Sequence, residues 1–327
     1  MSRAVLMGAP DFFSIRGGAN PHTRTVLGLR KRVRHDLAIA QWHSFARRLT
    51  ELGVGVFVIP PDARWPGLVY PANAGALIPL EAPVPVAEKR FVLSNLIETR
   101  AGEKDIYRAF VAALGFPIVE IARRFEGEAD FSPLGDDLYV FTYGTVLRQR
   151  FELRFGIPPW RRRYGFRSER AALEELAVLV PDRELLPLEL RLEAFYHGDT
   201  CLAAFGSGRR FLLAYLDALS PDSRDRLRRR LGDRLVPLRD EDARIYAANS
   251  FRLAIEDREL LFLPEGASRS LQEEVRARGV EPIPIDVSEF WTKGGGSVKC
   301  MIGDLGPLDQ PATPEIAEFR RRVAYRG

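Results

Sequence analysis

Cysteine and histidine are scarce in this sequence, and long apolar runs are missing. The 327 residues include two cysteines and four histidines. Two cysteines cannot build the disulfide framework of a small secreted protein, and no apolar run is long enough to span a bilayer. The amino terminus lacks a charged segment followed by a long apolar stretch. We therefore expect a cytoplasmic protein with no membrane partner.

Excess charge of one sign is also missing. Forty-eight basic and 44 acidic side chains leave a net charge of +4, which is too small to favour nucleic acid as a partner. The arginine runs 161–163, 228–230 and 320–322 are interpreted as solvated helix faces and loop tips. The sequence contains no phosphate loop, dinucleotide fingerprint or nucleophile-elbow serine. It thus predicts no cofactor.

What is present is a repeated order of elements. A helix, a stop and a short apolar strand follow one another five times, at intervals of about 45 to 70 residues. The predicted helices are residues 35–52, 103–114, 168–179, 223–231 and a helix that ends at Gly279. Ser168 can cap the third helix, and Ser270 with Glu273 could form a capping box for the fifth. The predicted strands are residues 54–59, 117–121, 186–192, 234–238 and 280–287.

A polar segment of small residues follows each of these strands and precedes another apolar run. These segments are residues 71–75, 126–130, 197–200, 247–250 and 294–300. If the repeats close into a ring, the five segments converge and form a pocket. Residues 4–7 would complete the last repeat. Short strands with intervening helices favour an α/β fold. We expect one domain over residues 1–306 and an appendage over residues 307–327.

Two residues in these segments can perform nucleophilic and acid–base chemistry. Cys300 ends a segment with three glycines, which permit backbone conformations close to a ligand, and the adjacent Lys299 favours the reactive thiolate. A lone cysteine can also be a small buried hydrophobe, and Cys201 fits that interpretation better. His197 could be a general acid and base or a satisfied core histidine.

Carboxylates are concentrated beside these candidates. Glu126, Glu128 and Asp130 lie within five residues, either as a solvated acidic loop or as site residues. One carboxylate can orient a histidine, and others can hold a planar cation through paired hydrogen bonds. Asp199 and Asn73 are further candidates for holding such a cation. No spacing of histidines and carboxylates is typical of metal ligands, so we predict no metal.

Taken in order, these segments resemble the guanidino-group-modifying branch of the pentein superfamily. That branch includes dimethylarginine dimethylaminohydrolase, arginine deiminase and the amidinotransferases. The resemblance extends to about residue 306, and the segments that carry it are residues 7–10, 20–22, 68–75, 125–130, 164–168, 195–200 and 294–300. It implies a five-bladed α/β propeller of ββαβ pseudo-repeats, in agreement with the repeated order of elements.

The resemblance also implies a role for each candidate. Cys300 would be the nucleophile, His197 the general acid and base, and Glu126 the carboxylate that orients His197. Glu128 could take the place of Glu126, because the acidic motif is one residue longer than in the deiminases. The implied substrate-binding residues are Asp199, Asn73, Asp130, Glu128, Asn249 and Arg167, with Arg100 or Arg167 available for a substrate carboxylate.

The function implied by the resemblance is hydrolysis of the guanidino group of arginine or an arginine derivative, through a covalent amidino intermediate on Cys300. Transfer of the amidino group to an amine is the alternative, and a non-catalytic binding protein on the same fold is a further one. Asn73 stands where the deiminases carry an acid, and in this it resembles the succinylarginine and cyanobacterial arginine dihydrolases. The expected partner is a small guanidino substrate, and the chain could pair as a homodimer.

Overall fold

The computed structural model describes residues 2–16, 18–25, 28–153, 155–156 and 159–327. In these residues the strands are β1 Ser2–Gly8, β2 Gly55–Ile59, β3 Gly75–Ile78, β4 Arg90–Leu93, β5 Ile118–Glu120, β6 Phe131–Leu134, β7 Leu138–Tyr143, β8 Arg150–Leu153, β9 Trp160–Arg163, β10 Glu184–Glu189, β11 Leu202–Phe205, β12 Phe211–Ala214, β13 Leu235–Pro237, β14 Phe251–Ile255, β15 Arg258–Pro264, β16 Glu281–Ile285 and β17 Gly303–Leu308. The α-helices are α1 His35–Glu51, α2 Glu103–Ala113, α3 Ala172–Ala177, α4 Pro221–Leu231, α5 Asp240–Arg244, α6 Arg269–Arg276, α7 Ser288–Gly294 and α8 Pro314–Val323.

Five three-stranded sheets in the described residues share one topology. Their strand orders are β3-β4-β5, β6-β7-β10, β11-β12-β13, β14-β15-β16 and β17-β1-β2. In each sheet the first two strands are antiparallel, and the third is parallel to the middle strand. A helix precedes the parallel third strand, because a parallel connection has to cross from one end of the sheet to the other. This is the predicted α/β repeat, while β8 and β9 form a separate hairpin inserted between β7 and α3.

The first and last strands of the domain lie in the same sheet. Strand β1 pairs antiparallel with β17 and parallel with β2, as the sequence predicted for residues 4–7. Strand β17 continues to Leu308, so the predicted boundary at residue 306 falls inside it. The tail is tied to the sheets, because the Arg320 guanidinium donates to the Leu114 carbonyl at 2.9 Å and the Tyr325 amide to the Val56 carbonyl at 2.8 Å.

The helices cover the sheets with apolar faces spaced at helical periodicity. Trp42, Phe45 and Leu49 of α1 are buried in one apolar cluster with residues of neighbouring strands. Gly53 then ends the helix at a φ of +78°, a conformation that glycine adopts without steric cost. Burial of such faces is the main favourable contribution to the fold.

Two helix starts differ from the prediction. Ser268, rather than Ser270, caps α6, and its hydroxyl accepts the Leu271 amide at 3.1 Å. Helix α3 begins only at Ala172. The Ser168 hydroxyl does not cap it, because this hydroxyl accepts the Glu126 amide and donates to the Asp130 carboxylate. None of the helices in the described part of the chain is long and apolar enough to cross a membrane.

Gly127 is a position where the fold requires a glycine. Its φ is +69°, and a Cβ atom there would lie 2.6 Å from the Ala72 carbonyl oxygen. We expect Gly127→Ala to lower the free energy of unfolding by about 2 kcal/mol or more, because strain and backbone overlap act together. Gly53→Ala is the matched control, since its φ is +78° but no atom lies within 4 Å of the added Cβ. Urea unfolding followed by circular dichroism would measure both, and equal losses would contradict the close-approach argument.

Candidate active site

A cavity of about 150 Å³ lies beside the polar segments, each of which leads into the first strand of a sheet. Six of the residues predicted from the sequence contribute to its lining: Cys300, His197, Glu126, Asn73, Arg100 and Arg167. Aromatic side chains and residues 13–16 and 18–23 also lie around the cavity; the aromatic lining residues are Phe13, Trp65, Tyr70 and Tyr196. The sequence did not predict this aromatic wall.

The turns that supply these residues contact one another directly. The Ala72 amide donates to the Cys300 carbonyl at 3.3 Å, and Gly127 packs against Ala72. The Gly198 amide donates to an Asp130 carboxylate oxygen at 2.9 Å. The Asn249 side chain donates to the Asp199 carbonyl at 3.1 Å, and the Lys299 amide donates to the Asn249 carbonyl at 3.1 Å. Residues far apart in the chain are thus held at fixed distances around one cavity.

The Cys300 thiol lies at the cavity wall, almost fully buried. Its Sγ is 3.2 Å from Oδ2 of Asp199, to which the thiol donates, and it accepts from Nδ2 of Asn249 at 3.1 Å. Burial, followed by the charge of Asp199, raises the pKa of the Cys300 thiol well above its usual value. Both effects favour the protonated thiol over the thiolate.

His197 is oriented by Glu126. The imidazole Nε2 is 2.9 Å from Oε2 of Glu126, and the Ile97 amide donates to the other carboxylate oxygen at 3.1 Å. Burial by itself would raise the pKa of Glu126, but the hydrogen bond and the charge of His197, aided by Arg100, lower it to about 2. The carboxylate is therefore ionised and holds the Nε2 side of the ring, while Nδ1 has no protein partner.

Asn73 is fixed by an arginine–glutamate pair. Arg100 donates to Oδ1 of Asn73 at 2.6 Å and to Oε2 of Glu103 at 2.6 Å. The side-chain Nδ2 of Asn73 is buried without a partner. Glu103 already compensates the charge of Arg100, so this arginine mainly orients Asn73.

Arg167 has a different environment. Its guanidinium donates to backbone carbonyls, including that of Gly165 at 3.1 Å and that of Ala19, and it lies 5.0 Å from the centre of the Tyr196 ring. No salt bridge to a carboxylate is formed by this buried side chain within the described residues. A buried cation with only carbonyl partners favours an anionic group nearby, and Arg167 lines the cavity.

Asp199 and Asn249 contact the sulphur of Cys300 but are not among the residues that line the main cavity. Asp199 also lines a smaller cavity of about 40 Å³. Its Oδ1 is buried without a partner, and burial raises the pKa of this carboxyl group. Both residues therefore contact the sulphur atom directly.

Asp130 and Glu128 also lie outside the main cavity. Asp130 accepts hydrogen bonds from Thr142 at 2.6 Å, Ser168 at 2.6 Å and the Gly198 amide at 2.9 Å. This carboxylate holds the turn after His197, and its three hydrogen bonds fix its position.

Glu128 pairs with Lys299 at 2.6 Å and accepts the Asp304 amide at 2.8 Å. Of the two glutamates considered for His197, the structure therefore brings Glu126 to the ring and turns Glu128 towards Lys299. Burial raises the pKa of Glu128 against the opposing charge of Lys299.

Several residues of the site gave little signal in the sequence. Glu103 reads as an ordinary first-turn acid of α2, yet its side chain is buried on Arg100. Asn20 donates to the Gly294 carbonyl at 2.8 Å and to the Tyr196 hydroxyl at 3.1 Å, which ties the covering loop to the glycine segment.

Unpartnered buried atoms concentrate around Cys300. Nδ1 of His197, Nδ2 of Asn73 and Oδ1 of Asp199 all lack a hydrogen-bond partner. Buried polar atoms are rarely left in this state, and a bound ligand is one common explanation. The carboxylate oxygen of Asp199 and a ring nitrogen of His197 can accept from a cation with several N–H groups, whereas the Asn73 amide nitrogen donates and fits an acceptor oxygen. No group of three or more His, Cys, Asp or Glu side chains in the described ranges could hold a metal ion.

Comparisons with known proteins agree with this chemistry. The sequence family described as N,N dimethylarginine dimethylhydrolase, eukaryotic, matches residues 165–306. The N(G),N(G)-dimethylarginine dimethylaminohydrolase of Mycobacterium tuberculosis is 29% identical over 306 residues, covering 94% of this chain and 87% of that protein. The bifunctional arginine dihydrolase/ornithine cyclodeaminase AgrE of a Nostoc species is 27% identical over 90% of this chain, which spans only 37% of that longer protein.

A solved structure shows the same fold. It is the N-terminal domain of ArgZ bound to substrate, an arginine dihydrolase from the ornithine–ammonia cycle in cyanobacteria. Its TM-score to this chain is 0.75 at 24% identity, and the match covers 94% of this chain and 99% of that domain.

The Glu126–His197 contact predicts a pH-dependent contribution to stability. Because the folded-state pKa of Glu126 is lowered from 4.5 to about 2, its ionised form stabilises the fold above pH 4.5 and this contribution is lost as the pH falls towards 2. We expect Glu126→Gln to reduce the free energy of unfolding markedly at pH 7 and much less at pH 3. Urea unfolding at both pH values measures this, with Glu273→Gln on exposed α6 as the control. An equal loss at both pH values would contradict the assignment.

Proposed function

Because the chain belongs to the guanidino-group-modifying pentein superfamily, we propose that it hydrolyses the guanidino group of arginine or an arginine derivative. The reaction proceeds through a covalent amidino intermediate on Cys300. The observation that carries this proposal is the cavity in which Cys300 and His197 share one wall, with unpartnered polar atoms around the sulphur. The relatives named for dimethylarginine and arginine hydrolysis support the same substrate class.

Substrate binding prepares the nucleophile. A guanidino carbon within reach of Sγ brings its nitrogens close to Asp199, whose Oδ2 lies 3.2 Å from the sulphur. A guanidinium cation would pair with the free Oδ1 and neutralise the charge that keeps the thiol protonated. The carboxylate of Asp199 would then hold the planar group, and Arg167 supplies a cation for a substrate carboxylate.

The first step forms a bond from Sγ to the central guanidino carbon, and the thiol proton passes to His197, the general acid and base. The bond to the departing nitrogen breaks as His197 delivers a proton to it, which leaves an amidino thioether on Cys300. Glu126 stabilises the protonated imidazole and fixes its orientation. In the second step His197 accepts a proton from water, the water oxygen bonds to the carbon, and the carbon–sulphur bond breaks. The products are an amine or ammonia and a ureido compound.

Asn73 favours a second candidate, in which the ureido product is hydrolysed again. Its Oδ1 is held by Arg100 and its Nδ2 is free beside the cavity, so a fixed neutral donor is available to a ureido oxygen. A carboxylate at this position would repel that oxygen. The arginine dihydrolase relatives provide the precedent for this deeper reaction.

Two further functions use the same site. If an amine took the place of water in the second step, the protein would be an amidinotransferase. A non-catalytic binding protein would have no use for an oriented histidine beside a buried thiol, and for this reason we place it last.

The remaining architectural features are part of this proposal. We infer that the five three-stranded units surround the cavity as the blades of a propeller, supported by the contacts that link each polar turn to the next. The single domain with a short tail, the cytoplasmic location and the homodimer remain predictions.

Replacement of the two cysteines separates the proposed nucleophile from a buried hydrophobe. We expect Cys300→Ala to lower turnover by a factor of at least about 10³, because no covalent intermediate can form. Cys201→Ala should leave turnover largely unchanged, since the Cys201 side chain is fully buried beneath β11 and lines neither cavity. Steady-state assays on folded, purified variants provide the measurement. Retained turnover by Cys300→Ala would reject the covalent scheme.

Product analysis tests the proposed reaction itself. Purified protein would be incubated with arginine, dimethylarginine, succinylarginine and agmatine, with and without glycine, and the ureido product, ammonia and amidino transfer would be quantified. We expect ureido product from at least one substrate, without a requirement for glycine. Two ammonia molecules for each arginine would identify the dihydrolase reaction, and glycine-dependent transfer would identify an amidinotransferase. No product from any substrate would count against an enzyme of this class.

A further inference from the structure

The side chain of Asn249 makes four hydrogen bonds around the nucleophile. Its Oδ1 accepts the Ser297 amide at 3.0 Å and the Cys300 amide at 3.1 Å. Its Nδ2 donates to the Asp199 carbonyl at 3.1 Å and to Sγ of Cys300 at 3.1 Å. The residue is completely buried and lines neither the main cavity nor the smaller one.

This bonding fixes the orientation of the amide. An asparagine has two N–H donors and an oxygen with two acceptor sites, and all four are used here. If the amide were turned over, an N–H group would face two backbone N–H groups and the oxygen would face the Asp199 carbonyl. The donor is therefore directed at the sulphur.

Asn249 and Asp199 have opposite effects on the sulphur. Asp199 accepts the thiol proton and holds a negative charge beside it, whereas Asn249 donates and so favours the thiolate. Once a cation has paired with Asp199, the Asn249 donor remains in place. A hydrogen bond to an ionised acceptor is roughly twice as strong as one between neutral groups, so its contribution grows as the thiol loses its proton.

We propose that Asn249 is a catalytic residue that stabilises the Cys300 thiolate and positions its turn, and that it does not bind substrate. This inference rests on the proposed function for its role in turnover. The proton that leaves Sγ passes to His197, as in the proposed mechanism.

The test compares Asn249→Asp with wild type in two assays. The aspartate keeps the shape and the acceptor for the backbone amides, but it presents an oxygen to the sulphur. We expect the pH midpoint for alkylation of Cys300 by iodoacetamide, followed by mass spectrometry without substrate, to rise by at least one unit. With a guanidino substrate that the wild-type protein converts, we expect kcat to fall at least 100-fold. We expect KM to change less than threefold, because Asn249 does not line the cavity.

Ser250→Ala is the matched control. It changes the next residue of the same turn, and its hydroxyl bonds only to the Ala247 carbonyl. We expect its alkylation midpoint and kinetics to equal those of wild type. An unchanged midpoint in Asn249→Asp, or a large rise in KM with kcat preserved, would overturn the proposal.

A measurement on wild-type protein covers the case in which Asn249→Asp does not fold. With selective ¹⁵N labelling of asparagine, one side-chain amide signal should shift with the same pH midpoint as Cys300 alkylation and should move when Cys300 is alkylated. The absence of such a signal would overturn the proposal. Because the alkylation and amide assays use no guanidino compound, a failure of the proposed function would appear only in product analysis.

Discussion

The hydrogen bonds that join one polar turn to the next are the constraint on which the site depends. These turns bury amides and carboxylates, and burial of a polar group without a partner costs several kcal/mol by transfer to an apolar medium, on the order of 2 to 7. The turns satisfy each other instead: Asp130 holds the Gly198 amide, and Asn249 holds the Cys300 amide. The contacts that make the centre stable therefore also set the distances between the reacting groups.

In the proposed mechanism, the charge of Asp199 links the reactivity of Cys300 to a cationic substrate. Burial and the charge of Asp199 raise the pKa of the Cys300 thiol. A guanidinium paired with Asp199 would lower that pKa, and an anion or neutral molecule would not. Glu126 orients His197 through a contact of 2.9 Å. Under this proposal, selectivity for a cationic substrate and suppression of thiol side reactions would follow from the same carboxylate.

The sequence was informative where a residue's chemistry is unusual for its surroundings. Cys300 after glycines, His197 between apolar residues and an acid run beside a strand indicated a site, and these three segments do meet. It could not decide between Glu126 and Glu128, which differ by two positions. A short helical turn over Gly127–Ala129 separates their side chains, one directed to His197 and the other to Lys299. Ser168 was read as a helix cap because that is the local preference of serine, whereas a carboxylate distant in sequence competes for its hydroxyl.

The sequence by itself determined the order of elements, the α/β class and the kinds of reactive group, because periodicity, glycine stops and residue chemistry are local properties. Only the tertiary structure decided which polar groups face the cavity and which support it from behind. Asn73 and Asn249 look alike in the chain, yet one has a free donor beside the cavity and the other uses every bond on the cysteine turn. That difference arises from partners about 30 to 50 residues away, and their direction is fixed only when the turns pack together.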